Sequence, residues 1–354
     1  MAKFVNSKVY TPLEFAKEYI PYYKDAPAFL FYDDFIIRSI EIAGRTCYNS
    51  FKNVNSSSDI SFYKNLIKRK HDPVLEFGYA ILEVSNNICN YILASGFKFL
   101  NISKESNRIL VSGSIRAWRD FIKFKSAHKP VREYILYILK NTENFIDLFV
   151  DIEYDRDTKI FNENYLAKVI QSTELKTIEE KLKHKYYHFV WISDRGVMAE
   201  ITRHRICSFA VQSTRYVNYK TGVEFIIPEW AKDKPRSIWK WFKLQLRISE
   251  WKQSCKESEK RYRRQIKFGS KPQEARQSLN HSTKTIINIS ANLEEWLHIF
   301  KMRSSQGAHP DIRRLSNMTR EIVLKDISFN EMSSLNIKES KKKIIKDAKN
   351  EYYK

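Results

Sequence analysis

Apolar residues recur every three to four positions in several stretches of this chain, and each such stretch predicts an amphipathic helix. Ile60, Tyr63, Leu66 and Ile67 predict one over residues 58–70, which runs into Pro73 and a new helix or turn. Two further helical patches are read at residues 114–125 and 131–140. Val197, Met198 and Ile201 share one face over residues 194–203, so Arg203, His204 and Arg205 fall at that helix's end. Asn292, followed three places later by Glu295, is a variant of the capping box. The helix it opens carries Leu293, Trp296, Leu297 and Phe300 on its apolar face, and Trp296, Ile299 and Phe300 are packing residues. Asn292 and Arg303 lie on nearly the same face of that helix, roughly 16 Å apart. A last helix opens at Pro310 and runs through Ile312, Leu315, Met318 and Ile322. GYAILEVSN (78–86) and TKTIINIS (283–290) read as strands, and ICSFAVQSTRYVNY (206–219) reads as loop.

At 354 residues, 43% hydrophobic and 14% aromatic, the chain can build a substantial core. With eight Gly, nine Pro, no Gly/Ser-rich linker and no repeat, the expectation is one intertwined domain over residues 1–354. Residues 84–190, with their helical patches and the acidic stretch DIEYDRDTK, are read as a largely helical insertion. A basic tail is expected at about 330–354, solvated or frayed. The fold class that follows is α+β, a mixed sheet with flanking helices. No apolar run is long enough to span a bilayer, and the first residues lack a secretory signal's apolar region, so a cytoplasmic protein is expected. Cys47, Cys89, Cys207 and Cys255 form no C-x-x-C pair, which argues against a zinc site and a disulfide framework. Free thiols and no metal are the expectation, and Cys207 is given no chemistry.

The formal charge of +21 attracts phosphate in any form. In the tail the basic residues are all Lys, whereas ITRHRICSFAVQSTRY (201–216) concentrates Arg with no carboxylate among them. Arg presents a planar fork that holds phosphate or a pyrimidine edge at two points, while Lys is a mobile point charge. Two functions fit such a stretch. One is a phosphate-binding enzyme; the other is a basic single-stranded RNA- or DNA-binding protein, suggested by aromatic residues interleaved with Arg. The binder would lose affinity steeply with salt.

Arg203-His204-Arg205 followed by Ser213 and then Arg215-Tyr216 resembles the signature of the flavin-dependent thymidylate synthases. Other pieces are similar to that family in the same order. HDPVLEF supplies His71 and Glu76, SGSIRAWRDF (112–121) is similar to a piece of the longer members, and EARQSLN supplies Arg276. NLEEWLHIFKMR with AHPDIRR supplies Asn292, His298, Arg303 and Ile312. Phe77, Glu200, Val211 and Asn280 depart from the family's usual residues.

What the resemblance implies is an enzyme that reductively methylates dUMP to dTMP, with no protein nucleophile. Reduced FAD supplies the hydride, methylenetetrahydrofolate the carbon, and NADPH the electrons. Side chains cannot transfer hydride, so a cofactor is required, while cationic donors aimed at the ring oxygens stabilise the electron-rich pyrimidine. Carried over by position, Glu200, Gln212, Ser213, Arg215, Arg276 and Arg303 bind dUMP, with Ser213 and Arg303 the catalytic pair. His71, Glu76, Arg203, His204, Arg205, Ile206, Asn292 and His298 bind FAD. The resemblance also implies a homotetramer whose sites combine residues of different chains.

Overall fold

The computed structural model describes residues 2–23, 36–55, 58–105, 108–153 and 166–327. The expected basic tail and residues 154–159 of the acidic stretch lie outside them. Strands β1 (Lys3–Val5) and β2 (Lys8–Tyr10) lead into helix α1 (Pro12–Tyr19), followed by α2 (Ile36–Tyr48), α3 (Ser58–Lys68) and β3 (Tyr79–Val84). Next come α4 (Asn86–Ala94), β4 (Asn101–Glu105), β5 (Arg108–Ser114), α5 (Ile115–Lys123), α6 (Lys129–Lys140), β6 (Ala167–Ile170) and α7 (Ile178–His184). The carboxyl-terminal half runs β7 (Tyr186–Asp194), α8 (Arg195–Ile201), β8 (Ser208–Val211), β9 (Glu224–Ile226), α9 (Ile238–Lys267), α10 (Pro272–Ala275), β10 (Lys284–Asn292), α11 (Leu293–Arg303) and α12 (Pro310–Asp326).

One sheet has the order β2-β7-β10-β8 and the other β4-β5-β3-β6. Every pairing within both is antiparallel. Among the described residues the parallel pairing is β1 with β9, Lys3 opposite Glu224. This corrects the expected single mixed sheet. A strand's apolar pattern encodes which faces are covered, and says nothing of its direction. Residues 84–190 also depart from the largely helical expectation, because β4, β5 and β6 are three of the four strands of the second sheet. At five, seven and four residues, these strands are too short for alternation to stand out. The helical patches there are real and become α5 and α6.

β7 and β10 pair along their whole lengths, from Asp194 opposite Lys284 to Tyr186 opposite Asn292, and nearly all their residues are buried. Phe189, Trp191, Ile287 and Ile289 pack with Val197 and Ile201 of α8, Trp296 and Ile299 of α11, and Ile312 and Leu315 of α12. The second large cluster gathers Tyr63, Leu82, Val111, Trp118, Phe121 and Ile135 around the other sheet. Some of the polar side chains that enter the first sheet are paired with one another, while among the described residues Ser193, Thr285 and Ser290 bury hydroxyls without a partner. His188 Nε2 meets Asn288 Oδ1 at 2.9 Å, Asn288 Nδ2 donates to Thr46 Oγ1 at 2.8 Å, and Thr46 Oγ1 donates to Ile42 O at 2.8 Å. This chain fastens the end of α2 to the middle of β10. No helix among the described residues is long and apolar enough to cross a membrane.

Asn288→Ala would leave the His188 Nε2 proton without an acceptor in a buried site. It is expected to cost about 1–3 kcal/mol and to lower the melting temperature by a few degrees, read by calorimetry. An unchanged melting temperature would remove the network from what holds α2 in place.

Candidate active site

The Arg-rich stretch is shaped by how β7 ends. Asp194 caps α8, its carboxylate accepting the Val197 N–H at 2.9 Å, and the helix stops after two turns at Thr202. His204 N then donates to Ile201 O and Cys207 N to His204 O, turning the chain back into β8 on the edge of β10. Arg203, His204 and Arg205 therefore occupy the turn just beyond the helix end. The expectation that residues 206–219 are loop is corrected for Ser208–Val211, which form β8. Four residues cannot announce a strand; register with β10 makes it one.

At one end of α8 and β8, five side chains meet. Arg303, the last residue of α11, donates through Nε to His204 Nε2 at 3.1 Å and through Nη2 to Glu200 O at 3.0 Å. Its Nη1 lies 3.6 Å from Glu200 Oε2. An arginine can only donate, so His204 Nε2 is an acceptor and the ring proton sits on Nδ1, which faces Glu295 Oε1 at 3.4 Å. Burial, aided by the Arg303 charge and His298, pushes the His204 pKa down to about 4, so the ring is neutral at ordinary pH. Burial raises the Glu295 pKa. His298 stands edge-on to His204 with ring centroids 5.7 Å apart and is exposed to solvent.

At the other end lies a group of cations. Ser213 is fixed by its N–H to Cys47 O at 3.1 Å, and its Oγ accepts the Arg215 N–H at 3.2 Å. Arg215 donates through Nε to Gln273 Oε1 at 3.2 Å, and its guanidinium lies 5.3 Å from the Tyr216 ring centre. Tyr216 contacts Tyr48, whose hydroxyl reaches His71 Nδ1 at 3.2 Å. Gln273 belongs to α10, and Arg276 follows one helical turn later. Arg276 in turn faces Arg195 at the start of α8. Burial and the Arg276 charge lower the Arg195 pKa, and Arg195 Nη1 is buried with no hydrogen-bond partner. Among the described residues neither arginine has a carboxylate within 4.0 Å, and such neighbouring cations attract an anion. A separate pocket of about 320 Å³, lined by Phe77, Tyr79, Phe145, Tyr186 and His188 among others, has no Lys or Arg in its lining.

Most of the residues expected at the site are gathered in these two groups. Gln212 is buried next to Ser213, with its N–H on Ile286 O. Arg203, Arg205 and Ile206 are exposed on the turn, and among the described residues neither arginine has a carboxylate within 4.0 Å. Glu76 is engaged by Arg116 Nη1 at 2.6 Å. Asn292 is a true cap for α11, accepting from Glu295 N at 3.0 Å, and its amide donates to Lys183 O at 3.3 Å. Only half of the expected capping box forms, because the Glu295 carboxylate turns to His204. Within one chain Arg303 does not join Arg215 and Arg276, since it sits at the opposite end of β8.

Two residues escaped the sequence reading. Arg195 has no motif of its own, and its significance comes from Arg276, 81 positions away. Glu295 looked like a helix-capping residue.

A family model described as thymidylate synthase complementing protein matches residues 137–327, a little over half of the chain. Among curated proteins, a flavin-dependent thymidylate synthase of Pyrococcus abyssi is 31% identical over 153 residues, covering 42% of this chain and 59% of that one. One from Pyrococcus furiosus is 32% identical over 153 residues with the same coverage, and one from Pyrococcus horikoshii is 36% identical over 150 residues, covering 41% and 58%. The chain thus spans about three fifths of the length of these relatives. Among solved structures, a UMP/dUMP methylase, PolB from Streptomyces cacaoi, is 18% identical with a TM-score of 0.34, covering 40% of this chain and 66% of that one.

The hydrogen-bond directions around His204 make a prediction for nitrogen NMR. His204 should hold its proton on Nδ1 and stay neutral down to about pH 5, charging only as pH approaches the value near 4. Glu295→Leu should leave the proton on Nδ1, because Arg303 still donates to Nε2. A wild-type ring protonated on Nε2 would contradict the arrangement.

Proposed function

This chain belongs to the thymidylate synthase complementing protein family, and on that premise we propose that it is a flavin-dependent thymidylate synthase that methylates dUMP to dTMP. The observation that carries the reading is the placing of Arg195 and Arg276 beside Ser213 and Arg215, a cradle of positive charge with no carboxylate within 4.0 Å of its arginines among the described residues. A phosphate monoester supplies the missing negative charge and accepts from several forks at once. Ser213, Arg215 and Arg276 hold that phosphate, Arg195 adds a third guanidinium, and Gln212 and Glu200 complete the nucleotide's surroundings.

Arg303 is the group for the pyrimidine. Neutral His204 accepts from its Nε, and Glu200 accepts from its Nη2, so the fork is aimed before substrate arrives. Such preorganised positive charge stabilises electron density pushed into the ring oxygens. Ser213 and Arg303 are the residues assigned to catalysis; neither forms a covalent bond to substrate.

The residues present fit a flavin dinucleotide. Arg203 and Arg205 are exposed and unpaired among the described residues, as a diphosphate requires, with His204, Ile206 and His298 on the same turn and its facing helix. His71 lies beyond Tyr48. Glu76 and Asn292 have their polar atoms engaged by Arg116 and by the α11 cap, so they take part only by exchanging those bonds. When bound, FAD supplies hydride transfer; NADPH and methylenetetrahydrofolate are the co-substrates.

A homotetramer is part of the same proposal. Arg303 and the phosphate cradle stand at opposite ends of β8, and a site that draws them from different copies brings them together. Exposed Ile238, Trp239, Trp241, Phe242 and Leu246 at the start of α9 support association, since apolar surface of this extent is rarely left to water. A cytoplasmic location accords with a soluble biosynthetic activity.

The test is absorbance spectroscopy of the purified chain with added FAD, followed by NADPH oxidation with and without dUMP. Bound flavin with its visible bands and faster NADPH oxidation when dUMP is present are expected. A colourless protein that binds no FAD would overturn the proposal.

A further inference from the structure

The Arg303 end of the site holds more ligating groups than the aiming of Arg303 calls for. One ligand atom each from His204, Glu295 and His298 lie within 4.8 Å of one another. Cys207 Sγ is 3.9 Å from Glu295 Oε1. The four residues come as two pairs, His204-x-x-Cys207 on the turn before β8 and Glu295-x-x-His298 on one face of α11. A search for C-x-x-C pairs passes over both.

We propose that these residues form a binding site for Zn²⁺ or a similar borderline divalent cation, with His204, Glu295 and His298 as ligands and Cys207 or water as the fourth. Ligands of a tetrahedral zinc ion, with bonds of about 2.0–2.3 Å, stand about 3.3–3.8 Å apart. The observed separations require side-chain shifts of about 1 Å to close on that geometry. Two imidazoles favour zinc-like ions over Ca²⁺ or Mg²⁺, which take oxygen ligands. His204, Glu295 and Cys207 are buried while His298 is exposed, so the site is anchored inside and open to solvent on one side.

Binding has a consequence for Arg303. His204 Nε2 is taken by the Arg303 Nε–H, which leaves Nδ1 as the metal ligand. When the metal takes Nδ1, the ring's single proton moves to Nε2 through solvent, and Nε2 no longer accepts from Arg303. Arg303 must then release His204, keeping only its bonds to Glu200. If Cys207 joins, its thiol proton leaves to solvent. The metal-loaded chain therefore holds Arg303 through Glu200 alone, and on the proposed function the site is inhibitory. That flavin and metal exclude each other at His204 and His298 rests on the proposed function; metal binding itself does not.

The experiment uses the full chain, free of flavin and treated with chelator, titrated with Co²⁺ as a visible probe and then with Zn²⁺. One equivalent per chain should bind, giving the intense visible bands of four-coordinate cobalt, with a thiolate-to-cobalt band if Cys207 coordinates. Zn²⁺ should displace it. His298→Ala, an exposed position, should weaken Zn²⁺ binding about 100-fold or more, beyond what loss of a supporting residue causes. Glu294→Ala, an exposed carboxylate beside the site, should not. A spectrum of weakly absorbing hydrated cobalt alone, or equal Zn²⁺ affinity in the wild type and His298→Ala, overturns the proposal. Because no flavin is present, either result leaves the flavin reading to its own test.

Discussion

The burial of the Arg195 guanidinium with no hydrogen-bond partner for its Nη1 among the described residues, beside a second cation at Arg276, is the constraint on which the rest of the site depends. Burial of a cation raises the energy of the ligand-free fold, and burial first, with the Arg276 charge adding to it, lowers the Arg195 pKa. The fold tolerates it because the Arg195 guanidinium cannot retreat cheaply, whereas Arg276 is exposed. Arg195 begins α8, whose first turn is pinned by Asp194 and whose backbone N–H is bound to His281 O. Arg276 sits where α10 turns toward β10, and both approaches are fixed by the long antiparallel pairing of β7 with β10. A buried Nη1 without a partner is then a binding energy held in reserve for an anion.

The same frame aims Arg303 by different means. There the charge is balanced: Glu200 takes part of the fork, and His204, kept neutral by burial, accepts the rest. The Arg303 N–H itself selects the ring's tautomer, leaving Nδ1 to face Glu295. One end of β8 thus presents unbalanced charge suited to capture, and the other presents directed charge suited to polarising a ring. The proposed metal site uses the second end's dependence on a single proton, since a cation at Nδ1 undoes the tautomer that Arg303 needs.

What could be read from the residues follows from how local each signal is. Helices α3, α8, α11 and α12 were legible because apolar residues at helical spacing face one core. Asn292 as a cap, the burial of Trp296 and the clustering of Ser213 with Arg215 were equally local. Strand direction was not legible, because β7 and β10 are buried on both faces and a continuous apolar run does not say which way its neighbour runs. β8 was missed because its four residues become a strand only beside β10. Arg195 and Glu295 were missed for a related reason. Each acquires its role from a residue 81 or 91 positions away, Arg276 in one case and His204 in the other, and no spacing rule within a helix reports such a meeting.

The central claim is that unbalanced guanidinium charge at the start of α8 recognises the nucleotide's phosphate. Calorimetric titration with dUMP and with deoxyuridine, in the wild type and in Arg195→Ala, tests it most directly. The account predicts that the wild type prefers dUMP by about 100-fold or more, the worth of two charged hydrogen bonds. Arg195→Ala should lose most of that preference while deoxyuridine affinity stays the same. Equal preference for dUMP in the two proteins would contradict it.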